Sequence, residues 1–199
     1  MWDQRYAEEG YAYGTRPNDF LVAQASRIKA GGRVLCLAEG EGRNAVHLAT
    51  LGFEVVAVDT SPVGLEKARS LADSQGVSIS TVHADLADYD LGVDAWDAII
   101  SVFAHVRPPL RRELHAAIFR ALRPEGVFLL EAYTPRQPEM PGNGGPPASR
   151  PDMFMTANGL TEELVGLKLH VCQEVERDIH EGRYHNGMSA VVQVVGRRG

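Results

Sequence analysis

Hydrophobic residues in this chain follow two alternating rhythms. Short, nearly continuous apolar runs, as in Arg33-Val34-Leu35-Cys36-Leu37-Ala38 and Phe53-Glu54-Val55-Val56-Ala57-Val58-Asp59, predict strands buried on both faces. Between them, Ala45, Val46, Leu48 and Ala49 recur at helical spacing up to Gly52, which is placed to end a helix. Ser61-Pro62 predicts the next helix start, because a hydroxyl can cap free amides and proline is tolerated at the first helical position. That helix is expected to run to about Ser74 or Gln75. Further strands are predicted near Val77–His83, over Ala95–Val102 and over Gly126–Tyr133. Between the last two, Leu110, Leu114, Ala117, Ile118, Ala121 and Leu122 line one helix face, while Arg111, Arg112, Glu113 and Arg120 fall outside it.

Residues 135–160 break the rhythm. Pro135, Pro138, Pro141, Pro146, Pro147 and Pro151 alternate there with Gly142, Gly144 and Gly145, which predicts a loop or lid. Beyond it, Leu164–Val175 and Arg183–Val195 around Glu181-Gly182 predict a β-hairpin. Residues 1–30 are expected to form a cap with one helix, Asn18–Ile28, over the sheet edge or a ligand mouth. Strands alternating with helices give the α/β class. The expected architecture is a Rossmann-like, doubly wound, mostly parallel seven-stranded sheet with a C-terminal antiparallel hairpin and helices on both faces, in a single domain over residues 1–199.

Composition narrows the function classes. A 199-residue chain that is 44% hydrophobic suits one core. The start Met1-Trp2-Asp3-Gln4-Arg5-Tyr6 is not a basic segment followed by an apolar one, and no run approaches the roughly 18 apolar residues of a membrane span. Cys36 and Cys172 form no CxxC pair and suit a reducing compartment, so a cytoplasmic protein without a membrane partner is expected. A net charge of −6 and a pI near 5.6 argue against nucleic acid as a partner. Either a monomer or a homodimer is compatible with the chain.

The candidate chemistry begins at Glu39-Gly40-Glu41-Gly42, between a buried strand and a helix. Glycines at such a junction let ligand atoms approach the backbone, and the helix start offers free amides. A tight turn alone would also use Gly40 and Gly42. Asp59 ends the next strand 19 positions after Gly40. An acid about 20 residues past the glycines accepts bonds from ribose hydroxyls in nucleotide-type sites. Asp85 follows the third strand and can accept a hydrogen bond from an exocyclic amine such as that of adenine.

The run Val34-Leu35-Cys36-Leu37-Ala38-Glu39-Gly40-Glu41-Gly42-Arg43-Asn44, with Val58-Asp59 and Ala84-Asp85-Leu86, resembles the successive cofactor motifs of class I S-adenosylmethionine-dependent methyltransferases. Trp2-Asp3-Gln4-Arg5-Tyr6 and Tyr13-Gly14 are similar to the tellurite-resistance and thiopurine methyltransferase group. The resemblance implies S-adenosylmethionine as cofactor, with Glu39, Gly40 and Gly42 around its methionine part, Asp59 on the ribose, and Asp85 and Leu86 at the adenine. Asn44, Thr60 and Ser101 complete that set. Cys36 stands where the family usually has an acid, and Ala38 where it has its first glycine. Glu39 is then expected to supply the charge beside the ammonium, and Tyr13 or Arg16 to reach the carboxylate.

Two other classes compete. Gly40-Glu41-Gly42-Arg43-Asn44-Ala45 formally matches the G-x-G-x-x-A of NAD(P)-dependent oxidoreductases, and Asp59 suits NAD as well. Aligned from the strand end, however, the glycine positions fall on Ala38, Gly40 and Arg43, and Glu39 and Glu41 would repel a pyrophosphate. A nonenzymatic cofactor-binding protein is the third class. On the methyltransferase reading, transfer is an in-line displacement onto a small-molecule acceptor, and histidine suits the proton it releases. His105, after the fourth strand, and His185, next to Arg183 at the hairpin turn, are the catalytic candidates, with Arg183 able to bind an anionic acceptor. No metal is expected, since Asp178, His180, Glu181 and His185 lack a diagnostic ligand spacing.

Overall fold

The structure is a computed structural model that describes residues 2–199. Its sheet contains β1 (Arg33–Leu37), β2 (Glu54–Asp59), β3 (Ser80–His83), β4 (Trp96–Val102), β5 (Leu122–Tyr133), β6 (Lys168–Glu181) and β7 (His185–Arg197). They lie in the order β3-β2-β1-β4-β5-β7-β6. The first five run parallel, whereas β7 is antiparallel to both β5 and β6. The order reverses at β1, so a crevice opens there at the carboxyl ends of β1 and β4, where ligands collect in doubly wound sheets.

Helices α1 (Trp2–Tyr6), α2 (Asp19–Gln24), α3 (Arg43–Thr50), α4 (Pro62–Ser74), α5 (Pro108–Ala121) and α6 (Ala157–Glu163) pack around it. The period of two along β1 sorts the core into layers. Leu35 and Leu37 join Leu114 and Ile118 of α5, while Val34 and Cys36 join Phe20 and Leu21 of α2 and Ala45 and Leu48 of α3. Ser61 caps α4 through the Gly64 amide, and Gly52 leaves α3 at φ +88°.

Several boundaries differ from the sequence pattern. Ala38 lies outside β1 because its φ is +48°. Strand β3 starts at Ser80 rather than Val77, and β5 starts four residues early, at Leu122, which pairs with Trp96 across a register shift. The hairpin strands extend to Glu181 and from His185, leaving Arg183 in the turn. The helix expected over Asn18–Ile28 is α2, which stops at Gln24 and is continued by one 3-10 turn to Arg27. Helix α6 arises inside the proline-rich stretch, where Thr156 caps the Gly159 amide. Helix α1 has only five residues, too short to be stable alone, and Asp3 bonded to Ser61 helps hold it against α4.

Candidate functional site

Three residues with left-handed backbones, Ala38 (φ +48°), Gly40 (φ +63°) and Gly42 (φ +90°), carry the chain from β1 into α3. Gly42 has to be glycine, because a Cβ there would lie 2.6 Å from that of Ala68 on α4. Gly42 has no side chain to cap α3, and Glu39 supplies the cap. Its Oε1 accepts from the amides of Asn44 and Ala45 at 2.9 and 2.8 Å. Burial pushes the Glu39 carboxyl up to about 7 against the pull of those amides. Cys36 lies close enough to Glu39 for burial and this acid to raise its thiol pKa. Asp59 closes the turn, accepting from the Gly40 amide on Oδ2 and the Ser61 amide on Oδ1, both at 2.8 Å. Burial raises its pKa too.

The remaining members of the expected cofactor set divide in two. Thr60 and Asp85 are exposed at the ends of β2 and β3, while Leu86 and Ser101 are buried and line one cleft with Leu37 and Ala104. Asp85 spends Oδ1 on the Ala87 amide. With Glu39, Gly40, Gly42 and Asp59, these side chains follow the carboxyl edge of β1 to β4. Tyr13 reaches that edge from the N-terminal segment and accepts from Arg5 at 2.8 Å. Arg16 is exposed, and its side chain is in no ion pair among the described residues. Asn44 is turned away, buried with its Oδ1 on the Asn18 amide. Glu41 also departs from expectation. It is buried, and it holds the Ala12 amide at 2.7 Å and Lys67 at 3.1 Å, so of the two flanking acids only Glu39 stands at the turn.

Tyr6 was not singled out by sequence pattern. Its ring covers the turn so closely that a Cβ on Gly40 would lie 2.5 Å from its Oη. The repeated aromatic spacing Trp2, Tyr6 was the available signal, and their rings stack at 5.8 Å.

The residues expected on the acceptor side gather around the end of β5. His105 is bound on both ring nitrogens. Nδ1 lies 3.0 Å from the Met153 carbonyl and Nε2 accepts from the Tyr133 amide at 3.1 Å. That pattern fixes the Nδ1–H tautomer, and burial holds the ring down to about 4. Arg183 faces the N-terminal segment, pairing with Glu8 at 3.1 Å and donating to the Glu9 carbonyl. His185 is different: its Nδ1 is buried without a partner, as is the Oη of fully buried Tyr133. Their ring centroids are 5.4 Å apart, and Phe103 touches both, at 4.5 Å from His185 and 4.6 Å from Tyr133. Phe103 holds φ +54°, a strained conformation for a non-glycine residue.

Beneath these rings lies a buried charge network. Glu131 and Glu181 are held by Arg177 at 2.6 and 3.0 Å, Glu181 also by Arg43 at 2.5 Å, and Asn18 bonds both acids. Arg43, at the third glycine position of the dinucleotide fingerprint, therefore ties the start of α3 to the hairpin. The network also occupies Glu181, so the grouping Asp178, His180, Glu181 and His185 does not assemble. His180 instead pairs with Asp178 at 2.9 Å and lies 3.2 Å from the Asn186 side-chain oxygen.

The sheet order, the left-handed turn and acids 39, 59 and 85 at successive strand ends give a doubly wound α/β protein with an acid-lined carboxyl edge. Residues 34–126 match the methyltransferase-domain family. The glycine/sarcosine N-methyltransferase of Halorhodospira halochloris is 32% identical over 135 residues, 65% of this chain and 47% of the relative. The sterol 24-C-methyltransferase of Yarrowia lipolytica is 26% identical over 62% of this chain and 33% of its own length. The chain thus spans less than half of these curated relatives. Among solved structures, one described for the conversion of a disulfide bond into a thioacetal group during echinomycin biosynthesis superimposes with a TM-score of 0.75 at 25% identity, covering 99% of this chain and 90% of that one. TehB from Haemophilus influenzae shares the fold with a TM-score of 0.73 at 18% identity, over 91% of this chain and 62% of its own. The oxidoreductase alternative finds no support among these proteins.

Proposed function

We propose that this protein is an S-adenosylmethionine-dependent methyltransferase that acts on a small-molecule acceptor. The observation that carries the reading is the left-handed turn at Gly40 with Glu39, Asp59 and Asp85 beside it at three successive strand ends. This donor and acceptor set fits the cofactor. Glu39 matches an ammonium, Asp59 retains lone pairs for the ribose hydroxyls, and Asp85 with Leu86 suits adenine. Tyr13 and exposed Arg16 stand on the side where a carboxylate would be met. When bound, the cofactor supplies a methyl carbon whose bond to sulfur breaks with the electron pair left on sulfur.

On the acceptor side, His185 takes the proton, because both nitrogens of His105 already have backbone partners and Arg183 faces the N-terminal segment. The names of the glycine/sarcosine and sterol enzymes support a small-molecule acceptor. We place the protein in the cytoplasm, where buried Cys36 and half-buried Cys172 stay reduced, as a monomer or homodimer with residues 1–199 acting as one domain. Among the described residues no helix is long and apolar enough to cross a membrane. Calorimetry with S-adenosylmethionine, S-adenosylhomocysteine and NAD tests the assignment. Wild type is expected to bind the first two and Asp59→Ala to lose them; wild type binding NAD instead would overturn it.

A further inference from the structure

The acceptor side has an unusual combination of groups. Tyr133 is completely buried, yet its Oη has no partner, and the same is true of Nδ1 of His185. Buried polar atoms are rarely left unpaired, and the two here adjoin one aromatic space. Strained Phe103 stacks on Tyr133 with an interplanar angle of 21° and meets His185 edge-on, while the Tyr13 ring lies 4.4 Å from His185. Gly144 closes the space. A Cβ there would collide with Tyr133 Oη and lie 3.0 Å from His185 Cδ2, so only glycine leaves both polar atoms reachable.

We propose that this space binds an uncharged planar ring carrying a hydroxyl group, which donates to His185 Nδ1 and accepts from Tyr133 Oη. The inference rests on the methyltransferase reading and names the acceptor for that site. Charge excludes the other classes. Arg43 and Arg177, the buried cations nearest these rings, are both committed to Glu131 and Glu181, and Arg5 at the rim donates to Tyr13. An oxyanion would find no free cation in the space, and an ammonium would find no free carboxylate. The aromatic faces select a flat body. Between hydroxyl and thiol, two hydrogen bonds to one heteroatom favour the hydroxyl, since sulfur is a weak donor and a weak acceptor.

Burial and the nearby arginines keep His185 neutral, and burial keeps the Tyr133 phenol protonated, so one accepts and the other donates. As the acceptor oxygen forms its bond to the methyl carbon and the methyl–sulfur bond breaks, its proton passes to His185 Nδ1, while the Tyr133 hydroxyl orients the oxygen. Tyr13 and Gly144, both in segments outside the sheet, border the two unpaired polar atoms.

Calorimetric titration with naphthol, naphthalenethiol, benzylamine and selenite, each with and without saturating S-adenosylhomocysteine, reads the site directly. Naphthol is expected to bind wild type and to weaken about tenfold in Tyr133→Phe and in His185→Gln, one lost hydrogen bond each, with S-adenosylhomocysteine binding unchanged. Gly144→Ala is expected to block naphthol and spare S-adenosylhomocysteine; it carries the test if a core variant fails to fold. Equal naphthol binding in all variants, or tighter binding of the thiol, amine or oxyanion, overturns the proposal. Failure of S-adenosylhomocysteine to bind would instead strike the methyltransferase reading, and the titrations without it would still report on the acceptor space.

Discussion

Replacing Glu39 by Gln separates the two tasks this side chain performs. The carboxyl caps α3 and carries a pKa near 7, against an ordinary value of 4.5. A folded-state value raised in this way means the native protein holds the proton more tightly than the unfolded chain. No penalty exists below pH 4.5; it grows as pH rises from 4.5 to 7 and stays constant above. Over about 2.5 pH units at 1.36 kcal/mol each, the cost of the charge reaches about 3 kcal/mol. That figure is an upper bound, because Glu39 keeps some exposed surface.

The Glu39→Gln side chain still offers Oε1 to the Asn44 and Ala45 amides. The pull of those amides on the charge is already contained in the raised pKa. The variant should therefore match wild type at pH 4 and exceed it by up to about 3 kcal/mol at pH 8, read from urea midpoints. The cofactor's ammonium reverses the balance by favouring ionised Glu39. Wild-type affinity for S-adenosylhomocysteine should fall as pH drops below 7, and the variant should bind roughly tenfold to a hundredfold more weakly at pH 8, without that pH dependence. Equal affinity of the two proteins at pH 8 would refute the role assigned to Glu39, and parallel stability curves from pH 4 to 8 would refute its buried charge.

Ala38→Gly should stabilise the protein by about 1 kcal/mol, since alanine at φ +48° carries a steric cost that glycine avoids; an unchanged melting temperature would contradict this. Glu163 joins α6 to α5, and although burial opposes ionisation, bonds from His115 and Arg111 at 2.7 Å bring it down to about 2. Its contribution is thus complete above pH 4.5 and lost as pH falls from 4.5 towards 2. Glu163→Gln should remove up to about 3 kcal/mol at pH 7 and flatten acid unfolding in that window, which circular dichroism at graded pH would show.

The sequence alone determined the layered α/β fold and which residues lie along the carboxyl edge of the sheet. Both are written in short-range features: apolar runs such as Val34–Leu37, the cap at Ser61-Pro62, and glycines at a strand-to-helix junction followed by acids at strand ends. Each follows from local backbone geometry and from burial on two faces. Where the pattern failed, long-range pairing won. Strand β5 reached back to Leu122 through Trp96, α6 formed where Glu163 meets Arg111 and His115 of α5, and α1 formed on the surface of α4. The commitments of individual polar atoms were invisible for the same reason. Nothing local to Glu41 shows that it holds the Ala12 amide 29 positions away, nor does any neighbour of His105 announce Met153, 48 positions on. Two histidines that look equivalent in sequence are distinguished only in space, because a ring with both nitrogens bonded to the backbone has no free base, whereas His185 Nδ1 has no partner at all.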